Sequence, residues 1–293
     1  MKILLLYVGS LNTSLLSYNE DWYDAFKKNN TLDVDCCNLA SKRWLSFIPK
    51  IRLYNLIVFL HSTNSNGLKV HPWFVKSLNY RRGKVIFFVG NEYKLMPEKI
   101  SLIRNLSAEY IVSQLPQNTA DWLYEELKFS RVISLAHALN PEVFKPITDS
   151  SNRQLDIGVR AYEYPWYLGD RERVHIFNKF KNLPNETFKT DINLNKSKRF
   201  GRSKWNLFLN SCRGTVSTEA GTAYLEKDDR TRNSVNTYLE KYPQTSFEEI
   251  FELFFQNYKN PISGKCITPR HFDAIGTKTC QIMFLGRFND ILK

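Results

Sequence analysis

The sequence is short of several things. None of its five cysteines falls in a C-x-x-C pair or at a Cys/His spacing that holds zinc. The number is odd, and Cys36 and Cys37 sit side by side in a strand-like run. Buried reduced thiols are therefore expected, not a disulfide framework or a metal centre. No apolar run approaches the ~20 residues that a membrane-spanning helix needs. The opening KILLLYVG is too short for a signal h-region with its flanks and reads as a first buried strand. Long low-complexity segments are absent. Asp-x-Asp occurs once, at Asp33-Val34-Asp35 early in a strand, where a structural role fits better than a Mg²⁺ clamp. No nucleic-acid recognition motif is found, so no specific nucleic-acid partner is expected. These absences set aside disulfide-stapled, zinc-held and membrane-spanning classes and leave a cytoplasmic protein as the expectation.

What is present is an ordinary globular composition with a basic surplus. The 293 residues are 43% hydrophobic and 24% charged, enough for one large core or two modest ones. The formal charge is +12, with 18 basic against 13 acidic residues in 1–150 and 23 against 16 thereafter. One local concentration comprises Lys196, Lys198, Arg199, Arg202 and Lys204. Such a surplus suits nucleotide phosphates, an anionic glycan or a lipid pyrophosphate, and allows peripheral association with the inner face of a membrane.

Strand-like and helix-like segments alternate. Apolar runs at 2–8, 32–37, 55–61, 84–89, 110–113 and 131–135 read as strands. An amphipathic helix is expected over 14–29, and others near 97–106 and 119–128. That alternation predicts a parallel sheet covered on both faces, with ligands beyond the carboxyl ends of its strands. Residues 136–150 break the pattern with Pro141, Pro146 and a polar turn, which places a domain boundary there. The second half restarts with strands at 155–161, 186–190, 215–218 and 281–284. Helices are expected near 170–181, 199–212, 247–258 and 268–276, with 226–246 loop-rich. The expected fold is α/β, with two Rossmann-like domains at 1–147 and 148–293 and a cleft between them.

Polar strand ends supply the candidate chemistry. His61 follows the third strand, and Asn91 and Glu92 follow the fourth. A carboxylate there can orient an acceptor hydroxyl or take its proton, and the histidine can bind sugar hydroxyls. Arg160 ends the strand at 155–161 and is placed next to a diphosphate. In 264–284, Thr268 reads as an N-cap and Pro269 as the first helical residue. Arg270 and His271 then lie at a helix N-terminus suited to an anion, with Asp273 one turn on to hold a ribose.

Several segments carry a resemblance. FFVGNEYKLMPEKI, NPEVFKP, DIGVRAYEYPWYLGDRER, RFGRSKWNLFLNSCRGTVSTEAGTAY and ITPRHFDAIG follow one another in an order that resembles GT-B glycosyltransferases. The likeness is to bacterial spore-maturation-protein and polysaccharide-biosynthesis types. It implies a GT-B fold and a metal-independent, hexosyltransferase-like enzyme without a cofactor. Such an enzyme moves a sugar from a nucleotide-diphosphate donor to a glycan or lipid-linked hydroxyl acceptor, in cell-surface glycan synthesis. Arg160, Glu219, Arg270, His271 and Asp273 would bind the donor, and Glu92, Asn91 and His61 would serve the acceptor side. Two departures stand out. The family's acidic pair is broken, with Lys265 at the first position and Asp273 at the second. The sequence also stops at Lys293 where relatives continue, so a C-terminus shortened by nature or by fragmentation is implied. A non-catalytic nucleotide- or glycan-binding protein of the same ancestry is the alternative reading.

Overall fold

A computed structural model describes residues 1–9, 16–184, 186–260 and 262–292. The first sheet contains six parallel strands: β1 (Lys2–Tyr7), β2 (Asp33–Asn38), β3 (Leu56–Phe59), β4 (Lys84–Phe88), β5 (Tyr110–Ser113) and β6 (Arg131–Ser134). Their spatial order is β2-β1-β3-β4-β5-β6. Both faces of the central strands are covered, so Ile3 to Leu6 are all buried and read as an unbroken apolar run. On one face α1 (Ser17–Lys27) packs Trp22, Tyr23 and Phe26 against Ile3, Leu5, Val58 and Phe88. The other face is covered by a 3₁₀ segment, Lys42–Leu53, and by α2 (Pro72–Ser77), α3 (Met96–Leu106) and α4 (Gln117–Leu123). There Trp44, Phe74, Ile100 and Ala120 share a core with Leu4, Ile57 and Phe87.

The second sheet has four parallel strands, β7 (Leu155–Arg160), β8 (Thr190–Asn193), β9 (Cys212–Ser217) and β10 (Cys280–Met283), in the order β10-β9-β7-β8. One face packs α5 (Glu172–Lys181) through Ile176 and Phe177 onto Ile157 and Val159. The other packs α6 (Arg202–Ser211) through Trp205, Phe208 and Leu209, together with Phe144 from the connecting chain. A separate layer joins α7 (Arg230–Lys241) to α8 (Phe247–Phe254) around Val235, Ile250 and Phe255. The last helix, α9 (Pro269–Gly276), leads into β10.

Most expected elements are found within a few residues, but three readings change. The polar stretch 226–246 is not mainly loop: it holds α7, whose single buried apolar residue, Val235, is too little apolar pattern to mark a helix in sequence. The strand expected at 186–190 lies later, at Thr190–Asn193, where it pairs with β7. Between β2 and β4 the 3₁₀ segment and α2 add to the expected elements. Residues 14 and 15 of the first expected helix lie outside the described residues.

Residues 135–149 join the sheets without helix or strand. The two halves also meet through charge. Arg202 on α6 reaches Glu20 at 2.8 Å, Asp21 at 3.0 Å and Asp24 at 2.7 Å, all on α1. Asp229 accepts from the backbone N–H groups of Leu95 and Met96, capping α3 from across the interface. Leu225 and Cys266 of the second half sit in the first sheet's core. No helix among the described residues is long and apolar enough to cross a membrane.

Candidate functional site

A cavity of about 380 Å³ lies between the carboxyl ends of the two sheets. Parallel sheets place ligands there because loops diverge from the strand ends and helix N-termini converge on them. From the first half come Tyr18, the 91–94 turn after β4, Gln114 after β5 and His137 after β6. From the second come Tyr162, Tyr164 and Tyr167 after β7, Lys196, Arg199 and Arg202 after β8, and Thr268, Arg270 and Asp273 at α9, with Arg173 from α5. Gly221 and Gly264 complete the wall, and a Cβ on Gly221 would collide with the Gly264 carbonyl.

The cavity is basic. Arg173 lies 3.7 Å over the Tyr164 ring and Arg199 5.3 Å over Tyr162. Arg270 sits 4.9 Å over Trp205 and donates to the backbone carbonyl of Arg160. Burial, followed by the charges of Arg199 and Arg173, pushes the Arg270 guanidinium down to about 9. It stays protonated at neutral pH, so the three arginines repel one another and an anion placed among them relieves that repulsion. The acid whose charge acts on Arg270, Asp273, gives little relief. Burial drives the Asp273 carboxyl up to about 8, aided by the charge of Asp21 and opposed by a Trp205 indole hydrogen bond of 2.9 Å. At pH 7 it is therefore mainly the neutral acid.

Several residues singled out in the sequence occupy other roles. The Arg160 side chain does not line this cavity. It pairs with Asp191 at 2.5 Å and stacks on Phe208 and Phe200 at 4.4 and 4.8 Å, so its charge is committed to β8. His271 is fully buried: its Nδ1 accepts the Thr268 N–H at 3.0 Å in a capping box, and its ring packs edge-on to Phe288. The box also occupies the His271 N–H, so the helix tip offers fewer donors than a bare N-terminus, and Arg270 carries the charge. Glu219 faces a different hollow, with its carboxylate accepting from the backbone N–H of Phe288 at 2.7 Å. Lys265 is held by Asp170 and Glu172 at 3.3 and 2.7 Å.

On the acceptor side the picture is mixed. Asn91 lines the cavity with a left-handed backbone (φ 49°) and donates through Nδ2 to Ser65 and Asn66, both at 3.1 Å. Glu92 borders the cavity, but its carboxylate accepts from Ser113 Oγ and Tyr124 OH at 2.7 Å and from the Gln114 N–H at 3.0 Å. Buried Lys99 holds the same turn by donating to the carbonyls of Gly90 and Asn91. Burial brings that ammonium down to about 7. A Cβ at Gly90 would meet Ser65 Oγ, which would have to shift away. His61 is buried behind the wall, its ring 4.8 Å from that of His137. His137 lines the cavity and accepts from Trp22 Nε1 at 2.9 Å. Burial keeps both imidazoles neutral, with His137 lowered to about 3.

Arg173, Arg199 and His137 line the cavity without being candidates in the sequence. Arg199 belongs to the 196–204 basic cluster, and Tyr162, Tyr164 and Tyr167 lie within the segment DIGVRAYEYPWYLGDRER. Nothing local marks Arg173 or His137. Asp35 of the Asp-x-Asp pair accepts from Tyr54 OH at 2.9 Å. Among the described residues no three His, Cys, Asp or Glu side chains gather closely enough to hold a metal ion. The chain matches no protein-family model, and no curated protein matches it.

Proposed function

We propose that the protein is a GT-B-type glycosyltransferase and that this cavity takes the diphosphate of a nucleotide sugar. The observation that carries the reading is the convergence of Arg173, Arg199 and Arg270 on one aromatic hollow between two sets of parallel strand ends. A diphosphate spreads negative charge over several oxygens, and forked guanidinium groups meet such oxygens in fixed geometry. In transfer, the bond from the sugar's anomeric carbon to the diphosphate breaks and the acceptor oxygen bonds to that carbon. The hydroxyl proton passes to the departing phosphate. The arginines stabilise the charge that grows on the leaving group, the place where electrostatic preorganisation lowers a barrier most. Protonated Asp273 keeps a negative charge out of the phosphate's way and offers a donor to the donor's ribose. The tyrosines provide flat surfaces for sugar or base.

A second reading is binding without turnover. It is favoured by the Glu92 carboxylate, which already accepts from Ser113, Tyr124 and Gln114 and so is held as a structural acceptor. A panel of nucleotides and nucleotide sugars separates the two. Thermal stabilisation by nucleoside diphosphates together with sugar transfer or donor hydrolysis supports the transferase. Stabilisation without product supports the binder, and no stabilisation by any member removes both.

A further inference from the structure

One surface of the first half lies outside the cavity and has an unusual composition. From Cys36 to Asn91 the chain contains no Asp or Glu. The 3₁₀ segment Lys42–Leu53 and helix α2 fall in this stretch and pack side by side on the sheet face opposite α1. Their inward side chains, Trp44, Ile51, Phe74 and Leu78, are buried. The ring of His71 stacks 5.0 Å from Trp44 and lies 5.7 Å from Trp73, tying the two elements together.

Outward, these elements and the short 3₁₀ turn after α2 (Leu78–Tyr80) present large apolar groups. Trp73 is 67% exposed, Tyr80 70%, Leu53 61% and Leu45 46%. Lys42, Arg43, Lys50 and Arg52 are exposed on the 3₁₀ segment, and Lys69, Lys76 and Arg82 beside α2. Among the described residues, the one ion pair made from this stretch is Arg81 with Glu109, at 3.8 Å. The basic groups thus face solvent without acidic neighbours from their own stretch.

We propose that this face seats the protein on the surface of an anionic bilayer. Exposed lysines and arginines are drawn to the negative headgroup layer, at about fivefold in affinity for each residue near the surface. Trp and Tyr favour the boundary between water and hydrocarbon, and the leucines gain by leaving water there. Single-stranded nucleic acid also pairs basic groups with aromatic rings, but Leu45 and Leu53 offer nothing for a base to stack on. The aliphatic members therefore favour a bilayer over a nucleic acid.

The test is sedimentation of the full chain with phosphatidylcholine vesicles, with and without phosphatidylglycerol. Binding is expected only with the anionic lipid and should weaken as salt rises. Lys50→Glu with Arg52→Glu should reduce it by at least about tenfold. Trp73→Ser with Leu53→Ser should reduce it by a similar factor and leave the Tm unchanged, since both side chains are exposed. Brominated phosphatidylglycerol should quench wild-type tryptophan emission, and Trp73→Phe should remove most of that quenching, a reading that does not depend on the other variants. Equal partitioning by wild type and both double variants overturns the proposal, as does absence of quenching. Tight binding to a single-stranded RNA homopolymer with no vesicle binding overturns it in favour of a nucleic-acid face.

Discussion

Arg270 donates a hydrogen bond to the backbone carbonyl of Arg160, while the guanidinium of Arg160 turns the other way to Asp191. The two arginines are neighbours through a main chain, not through a shared ligand. Their substitutions should therefore fail in different ways. Arg270→Ala should lower sugar transfer by roughly 100-fold with little change in unfolding midpoint, by removing charge at the leaving group. Arg160→Ala should keep the rate close to wild type and cost about 2 kcal/mol of stability, from a lost charge-assisted pair and two ring contacts. Turnover assays beside chemical denaturation check both. Equal rate losses in the two variants would mean that Arg160 reaches the donor after all.

Asp273 gives a pH signature. Its folded carboxyl titrates near 8 against an ordinary value of 3.8, so the folded state holds a proton that the unfolded chain releases between those values. Stability from this residue is complete below about pH 4 and drains away as pH rises towards 8. Asp273→Asn retains an acceptor for Trp205 and has no charge to bury. At pH 7 it should be more stable than wild type by at least about 1 kcal/mol, and the difference should close towards pH 4. Affinity for a nucleoside diphosphate should also fall in the wild type above pH 8, and less in the variant. Parallel stability curves for the two proteins would refute the assignment.

The buried imidazoles predict the opposite slope. His137 is depressed to about 3 from an ordinary 6.5, with His61 lowered beside it. Below 6.5 the unfolded chain takes up protons that the folded chain refuses. Their contribution is full above 6.5 and is lost as pH falls towards 3. His137→Gln, which can still accept from Trp22, should flatten the acid limb of a stability profile by up to ~1.4 kcal/mol per pH unit. An unchanged limb would show that His137 is protonated in the folded protein.

Arg202 binds α6 to three carboxylates on α1. Arg202→Met leaves Glu20, Asp21 and Asp24 close together without a counter-charge, at a cost of about 3 kcal/mol at neutral pH. Acid should partly restore the variant, because protonation relieves the carboxylates. Urea midpoints at pH 7 and pH 4.5 measure this: the variant's deficit should be smaller at the lower pH.

The α/β character of this chain was legible from residue order. A central parallel strand is buried on both faces, so Ile3 to Leu6 and Val85 to Phe88 stand out as apolar runs, and α9 announces its start with Thr268 and Pro269. Those signals are local, carried by neighbours two to four residues apart. The polar helix α7 lacked them, having Val235 as its one buried apolar residue. The direction of a long charged side chain is set otherwise, by partners that only folding brings near. Arg160 reads as a cavity residue until Asp191, 31 residues on, takes its charge. Arg173 reads as one more surface arginine until Tyr164 gives it a platform. The sequence by itself determined most of the strands and helices and the surplus of positive charge. Tertiary structure alone decided which arginines face the hollow, because partners far along the chain, such as Asp191 for Arg160, commit some guanidinium groups elsewhere and leave others facing it.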